Sequence, residues 1–190
     1  MLASKRMSTI AVVTASVITF AATNIDDLVL LTFFFARRVS ARNIVVGQYL
    51  GFLGIILLSC AGLLLTRAIP HQWIRALGLV PLVLGLKELF LLSRPHGWKE
   101  LPANRQGIIS IATITLSNGA DNVGIYVPFF SVNRKHLWLI LTSYAFLIAL
   151  WCTIGMRLGN HSVILRAVDR IGHLVVPVVF IGLGVYVLLF

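Results

Sequence analysis

Thr23-Asn24-Ile25-Asp26-Asp27 interrupts an apolar run over residues 8–36, and Asn118-Gly119-Ala120-Asp121-Asn122 interrupts another over 107–131. Sliding the chain by 94 residues (118 minus 24) lays one interruption on the other without a gap. Ser16 then meets Ser110, Thr19 meets Thr113, and Thr23 meets Ser117. Asn24 meets Asn118, Asp27 meets Asp121, and Phe35 meets Phe129. Polar matches inside apolar runs point to an internal repeat. Farther along, Tyr49 pairs with Tyr144 and Pro81 with Pro177 after shifts of one and two residues.

Outward from these stretches, apolar runs recur at 8–36, 43–65, 73–92, 107–131, 136–156 and 171–190. Each approaches or exceeds the roughly 20 residues that cross a bilayer as a helix. Only helices and closed barrels satisfy every backbone group in lipid, and the alternation of barrel strands is absent. Hydrophobic residues make up 58% of the 190 and charged ones 12%, about half the roughly 25% of a soluble domain. The expected fold is an all-α integral membrane protein with about six transmembrane helices. They form two three-helix repeats, 1–94 and 107–190, joined by a polar linker, 95–106. An odd number of spans per half makes the second half enter from the opposite face, an inverted repeat.

The net charge of +10 does not indicate nucleic acid, because the basic residues fall between apolar runs as membrane-flanking anchors. The first, third and fifth loops hold ten of them, counting Lys87, against six at the N-terminus and in the even loops. That bias places both termini outside. Lys5 and Arg6 before an apolar run imitate a signal peptide, but cleavage near Ala21-Ala22 would strand 28–36 and delete one partner of the repeat. Residues 160–170 read as either a short interfacial helix or a loop.

Ser16, Thr19, Thr23 and Asp27 are spaced by three, four and four residues, as are Ser110, Thr113, Ser117 and Asp121. Each set therefore shares one helix face and ends in a carboxylate. Asn24 and Asn118 stand beside it. A carboxylate at mid-membrane costs about 2.5–3.5 kcal/mol on insertion scales. Yet three of the six acidic residues, Asp26, Asp27 and Asp121, occupy the interruptions. Such placement calls for a compensating cation or proton. The bland alternative, an interhelical hydrogen-bond network, explains Asn and Thr but not the surplus negative charge. The expected ligands are Asp27 and Asp121, with Asn24, Asn118, Asp26 and Asn122 beside them and Thr23 and Ser117 in second rank. Oxygen ligands of this kind suit Mn²⁺, Mg²⁺ and Ca²⁺; Cd²⁺ accepts oxygen too, but ligand type alone does not single it out. Protonation of the same carboxylates offers a route to proton coupling.

Asp26 points about 100° from Asp27 on a regular helix, so both reach one ion only where the helix breaks. Gly119, Gly124 and Pro128 ease a break in the second half, and nothing in 24–31 does so equally. Cys60 and Cys152 read as small buried hydrophobes, and Lys87-Glu88 as interfacial. Gln48, Tyr49, Ser143 and Tyr144 read equally as path-lining residues or as ordinary interhelical hydrogen-bonders. His71, His96, His136 and His161 fall in loops, and His173 near an interface.

Thr23-Asn24-Ile25-Asp26-Asp27, Gly47-Gln48-Tyr49-Leu50-Gly51 and 118–128, read Asn-Gly-Ala-Asp-Asn-Val-Gly-Ile-Tyr-Val-Pro, together resemble the cadmium resistance (CadD-like) transporter family of the lysine-exporter superfamily. The resemblance covers nearly the whole chain. It implies a multi-pass protein of the bacterial plasma (inner) membrane that lowers cellular Cd²⁺ by export or sequestration. The divalent cation is then cargo rather than cofactor, the partners are the metal ion and the lipid bilayer, and a homo-oligomer remains open. The alternatives are an exporter of a basic amino acid or of another divalent metal such as manganese. An intramembrane enzyme would carry paired His with Glu, or Ser with His at helical spacing, and neither is present. A structural membrane subunit would show no substrate-dependent thermal shift.

Overall fold

A computed structural model describes residues 9–37, 39–66, 76–91, 107–159 and 177–189. The helices are α1 (Thr9–Thr23), α2 (Ile25–Ala36), α3 (Ala41–Leu65), α4 (Leu79–Leu91), α5 (Ile108–Asn118), α6 (Asn122–Val132), α7 (Leu137–Leu158) and α8 (Pro177–Leu189). A 3₁₀ turn, Arg134–His136, leads into α7. Among the described residues there is no strand. The expected linker 95–106, segment 160–170, His71, His96, His161 and His173 lie outside the described residues.

By length and apolar content, Ala41–Leu65 and Arg134–Leu158 can each cross a membrane. α1 and α2 reach that length only as a pair, bent by 60° at Asn24. α5, α6 and α8 are shorter apolar helices, and α4 has 13 residues with Lys87 and Glu88 toward its end. Leu57, Phe90, Trp138 and Phe146 are all exposed, as side chains that face lipid rather than water are.

The sharp break in the first half arises without glycine or proline. Asn24 leaves the helical ladder at φ −125°. Its carboxamide nitrogen donates to the Phe20 carbonyl at 2.8 Å, and its own carbonyl accepts the Trp151 indole N–H at 2.8 Å. A side chain competing for helix backbone bonds replaces the glycine that local sequence would demand. In the second half the interruption is a turn over 119–121. Gly119 sits where a Cβ would collide with the Ile55 side chain. Pro128 lies inside α6, which continues to Val132.

Glycines set the helix order. Gly47 abuts Ile111, Gly51 abuts Thr115, Gly54 abuts Leu116 and Gly62 abuts Val127, so α3 runs alongside α5 and then α6 in one direction. Phe20 touches Tyr144, Gly155 abuts Leu31 and Gly159 abuts Phe35, so α7 runs alongside α1 and then α2. Small residues let backbones approach where lipid removes the hydrophobic drive between helices. α4 and α8 meet where Gly78 faces Gly184 and Gly85 faces Ile181. Phe20, Phe52, Tyr126, Phe130, Tyr144 and Trp151 fill the centre, with neighbouring ring centroids 5.1–6.2 Å apart.

Candidate functional site

The two breaks meet. Asn118, at the C-terminal end of α5, donates from its carboxamide nitrogen to Asp26 at 2.9 Å, bridging residues 92 apart in sequence. Asp26 also lies close enough to Asp121 for their charges to repel, and Asp26 and Asp27 repel likewise. Asp26 and Asp27 occupy the first turn of α2, and Asp121 is the N-cap of α6. The partial positive charge of each helix start offsets part of the cost of holding carboxylates there.

The expected ligands divide into three groups. Asp26, Asp121 and Ser117 are exposed and Asn118 is half-buried. Asp27 is buried, and its carboxylate accepts a hydrogen bond from the Gln48 carboxamide nitrogen. Gln48 in turn accepts one from Thr115 at 2.8 Å. Thr23 and Asn24 belong to a buried knot around Tyr126. The Asn24 carboxamide nitrogen lies 2.9 Å from the Tyr126 hydroxyl and 2.8 Å from the Thr23 hydroxyl, its two N–H groups being shared among these and the Phe20 carbonyl. Thr23 lies 3.0 Å from the Thr19 carbonyl, a pure acceptor, and 2.7 Å from the Tyr126 hydroxyl. With the Thr23 proton committed to Thr19, Tyr126 is the donor to Thr23. Asn24 thus has its nitrogen engaged, and only its carboxamide oxygen could serve a cation. Asn122 is buried beside Gly119.

Asp26 is therefore the carboxylate that meets Asn118 and feels the charge of Asp121, while Asp27 turns toward α3. The helix breaks at Asn24, two residues before Asp26, so both carboxylates ride on the regular first turn of α2 and diverge. The two polar stripes also differ. Ser16, Thr19 and Thr23 are buried, whereas Thr113 and Ser117 are exposed. α5 packs instead through Ile111, Thr115, Gly119 and then Asn122 at the break, a neighbouring face of the same helix.

Sequence reasoning overlooked Thr115, Tyr126 and Trp151 at the site. Thr115 lies two residues off the polar stripe, and its only local signal is its place in the series 111–115–119. Tyr126 sits within the quoted motif 118–128 but carries no charge to mark it. Lys87 is exposed toward the end of α4. Cys60 and Cys152 are free thiols, half-buried and buried. Among the described residues, no three His, Cys, Asp or Glu side chains form a group able to hold a metal. A cation bound here would also draw on carboxamide, hydroxyl or backbone oxygens.

Apolar helices of spanning length, with lipid-type exposed faces and carboxylates at paired helix breaks, define an integral membrane protein. The family model for cadmium resistance transporters matches residues 20–190, and the chain belongs to that family. The family is one of transporters, not of enzymes. No match was found among curated proteins or among solved structures.

Proposed function

We propose that the protein exports divalent heavy-metal cations, cadmium foremost, from the bacterial cytoplasm across the plasma membrane. The cation passes through an Asp/Asn site between two inverted three-helix repeats, 1–94 and 107–190, linked by 95–106. The observation that carries this reading is the Asn118–Asp26 bond of 2.9 Å between the two breaks. It puts an exposed carboxylate of one half against an amide of the other, within reach of the charge on Asp121. Asp26 and Asp27 each accept a hydrogen bond from a carboxamide, and among the described residues no lysine or arginine is paired with either, which keeps their negative charge for a passing ion.

The inverted arrangement draws support from helix direction. α2 and α3 are joined by the short connection 37–40 and paired by the Gln48–Asp27 bond, so α3 returns antiparallel to α2. Because α3 runs with α5 and α6, the broken helix of the second half runs against that of the first. Alternating access then consists of one half rocking against the other around the site. Asp26, Asp121 and Asn118 form its accessible edge. Asp27, Asn122 and the Asn24 oxygen lie deeper, with Thr23 and Ser117 flanking.

The test is uptake by the purified protein in liposomes across a panel of divalent metals, with lysine as competitor. Cd²⁺ flux that lysine leaves unchanged supports the proposal, and displacement by lysine moves the assignment to a basic amino acid. Asp27→Ala and Asp121→Ala should each abolish metal tolerance with membrane abundance intact; survival of tolerance in both sinks the site.

A further inference from the structure

Gln48 is buried, as are its two partners, Asp27 and Thr115. It joins three helices: Asp27 comes from α2, Gln48 from α3 and Thr115 from α5. The orientation of a carboxamide follows from its partners. Thr115 has a back-bonding option, since Ser16, Thr32 and Ser59 each donate to the carbonyl four residues earlier. Thr115 instead directs its hydroxyl to the Gln48 carbonyl oxygen. Gln48 can then present only N–H to Asp27, which occupies one carboxylate oxygen and leaves the other.

The helices are shaped for this contact. Gly47 and Gly51 flank Gln48, and a Cβ on either would fall within 2.7 Å of Ile111 or Thr115. Any larger residue there would push α3 off α5 and draw Gln48 out of reach. The second half carries other residues at the equivalent positions. In the repeat alignment Ser143 stands for Gln48 and Ala21 for Thr115, and Ser143 bonds back to Leu139 within its own helix. The chain Thr115–Gln48–Asp27 is thus an addition to the shared scaffold, placed where one carboxylate is buried.

We infer that Gln48 is the positioning residue that holds Asp27 for a divalent cation, and that Thr115 locks the orientation of Gln48. A neutral amide orients the carboxylate without cancelling its charge, which a lysine or arginine in that place would do. The inference rests on the reading of Asp27 as a cation ligand.

Cd²⁺ uptake into proteoliposomes tests it, with KM and maximal flux measured for wild type, Thr115→Val, Thr115→Ser, Gln48→Met and Asp27→Asn. Thr115→Val and Gln48→Met should raise the KM for Cd²⁺ by roughly tenfold, the scale of a hydrogen bond to a charged group. Thr115→Ser, which keeps the hydroxyl, should restore a KM near that of wild type. KM does not depend on how much protein folds, so a merely structural role would lower abundance and leave KM alone. Where Thr115→Val does not accumulate, Gln48→Met carries the same comparison. An unchanged KM in these variants, with Asp27→Asn inactive, overturns the positioning role alone. Full transport by Asp27→Asn overturns the ligand reading beneath it.

Discussion

Exchanging Asp26 and Asn118 tests whether the two breaks serve one cation. The bond between them is 2.9 Å long, from an amide N–H to a carboxylate oxygen. Hydrogen bonds to charged groups contribute about 1.5–3 kcal/mol. Asp26 is exposed on one side, which puts this bond at the low end, near ~1.5 kcal/mol, or about tenfold in apparent affinity. Asp26→Asn removes the charge and leaves two amides facing each other; Asn118→Asp sets two carboxylates together and adds repulsion from Asp121. Each single variant should raise the KM for Cd²⁺ by about tenfold or more. The double variant, Asp26→Asn with Asn118→Asp, restores one carboxylate, one amide and the bond between them with the donor reversed. Its KM should fall well below the product of the two single effects, a coupling of about 0.5–3 kcal/mol in the double-mutant cycle. Flux into proteoliposomes at graded Cd²⁺ reads all four proteins. Single effects that simply multiply would mean that the breaks act on separate events, and the shared site would be refuted.

Three further outcomes follow from the packing. Gly51→Val should destabilise by about 1–3 kcal/mol through overpacking against Ala112 and Thr115, read as a lowered unfolding midpoint in detergent; an unchanged midpoint contradicts the close α3–α5 approach. Tyr126→Phe removes the donor to Thr23 and the acceptor of Asn24, and should cost about 1–3 kcal/mol in the same assay, the penalty of stranding buried polar groups. Imposing a pH gradient on Cd²⁺-loaded vesicles should change the flux if the site carboxylates exchange protons for metal, and equal fluxes with and without the gradient end that idea.

Much of the fold is legible in the chain because membrane insertion is governed by local quantities. Run length marks the apolar stretches in which the described helices lie, and the offset of 94 residues pairs the two interrupted runs. The breaks show as polar residues in apolar runs, so Asp26, Asp27, Asn118 and Asp121 stand out as candidate site residues before any packing is known. Helical periodicity goes one step further and groups Ser16, Thr19, Thr23 and Asp27 on one face. It stops there, because periodicity states which residues share a face and not what that face meets. The equivalent face of α5, with Thr113 and Ser117, turns outward.

What tertiary structure decides is the set of partners. Asp26 rather than Asp27 approaches Asn118 and Asp121, because the bend at Asn24 sets the direction of α2 as a whole. Gln48 passes from one of several polar residues on α3 to the holder of Asp27, because Gly47 and Gly51 bring α5 close enough for Thr115 to reach it. Tyr126 and Trp151 become part of the first break through contacts spanning more than 100 residues. Hydropathy and spacing act within one helix. The geometry that sorts carboxylates into exposed and buried places is set between helices, by which small residues permit contact and which carbonyls the breaks set free.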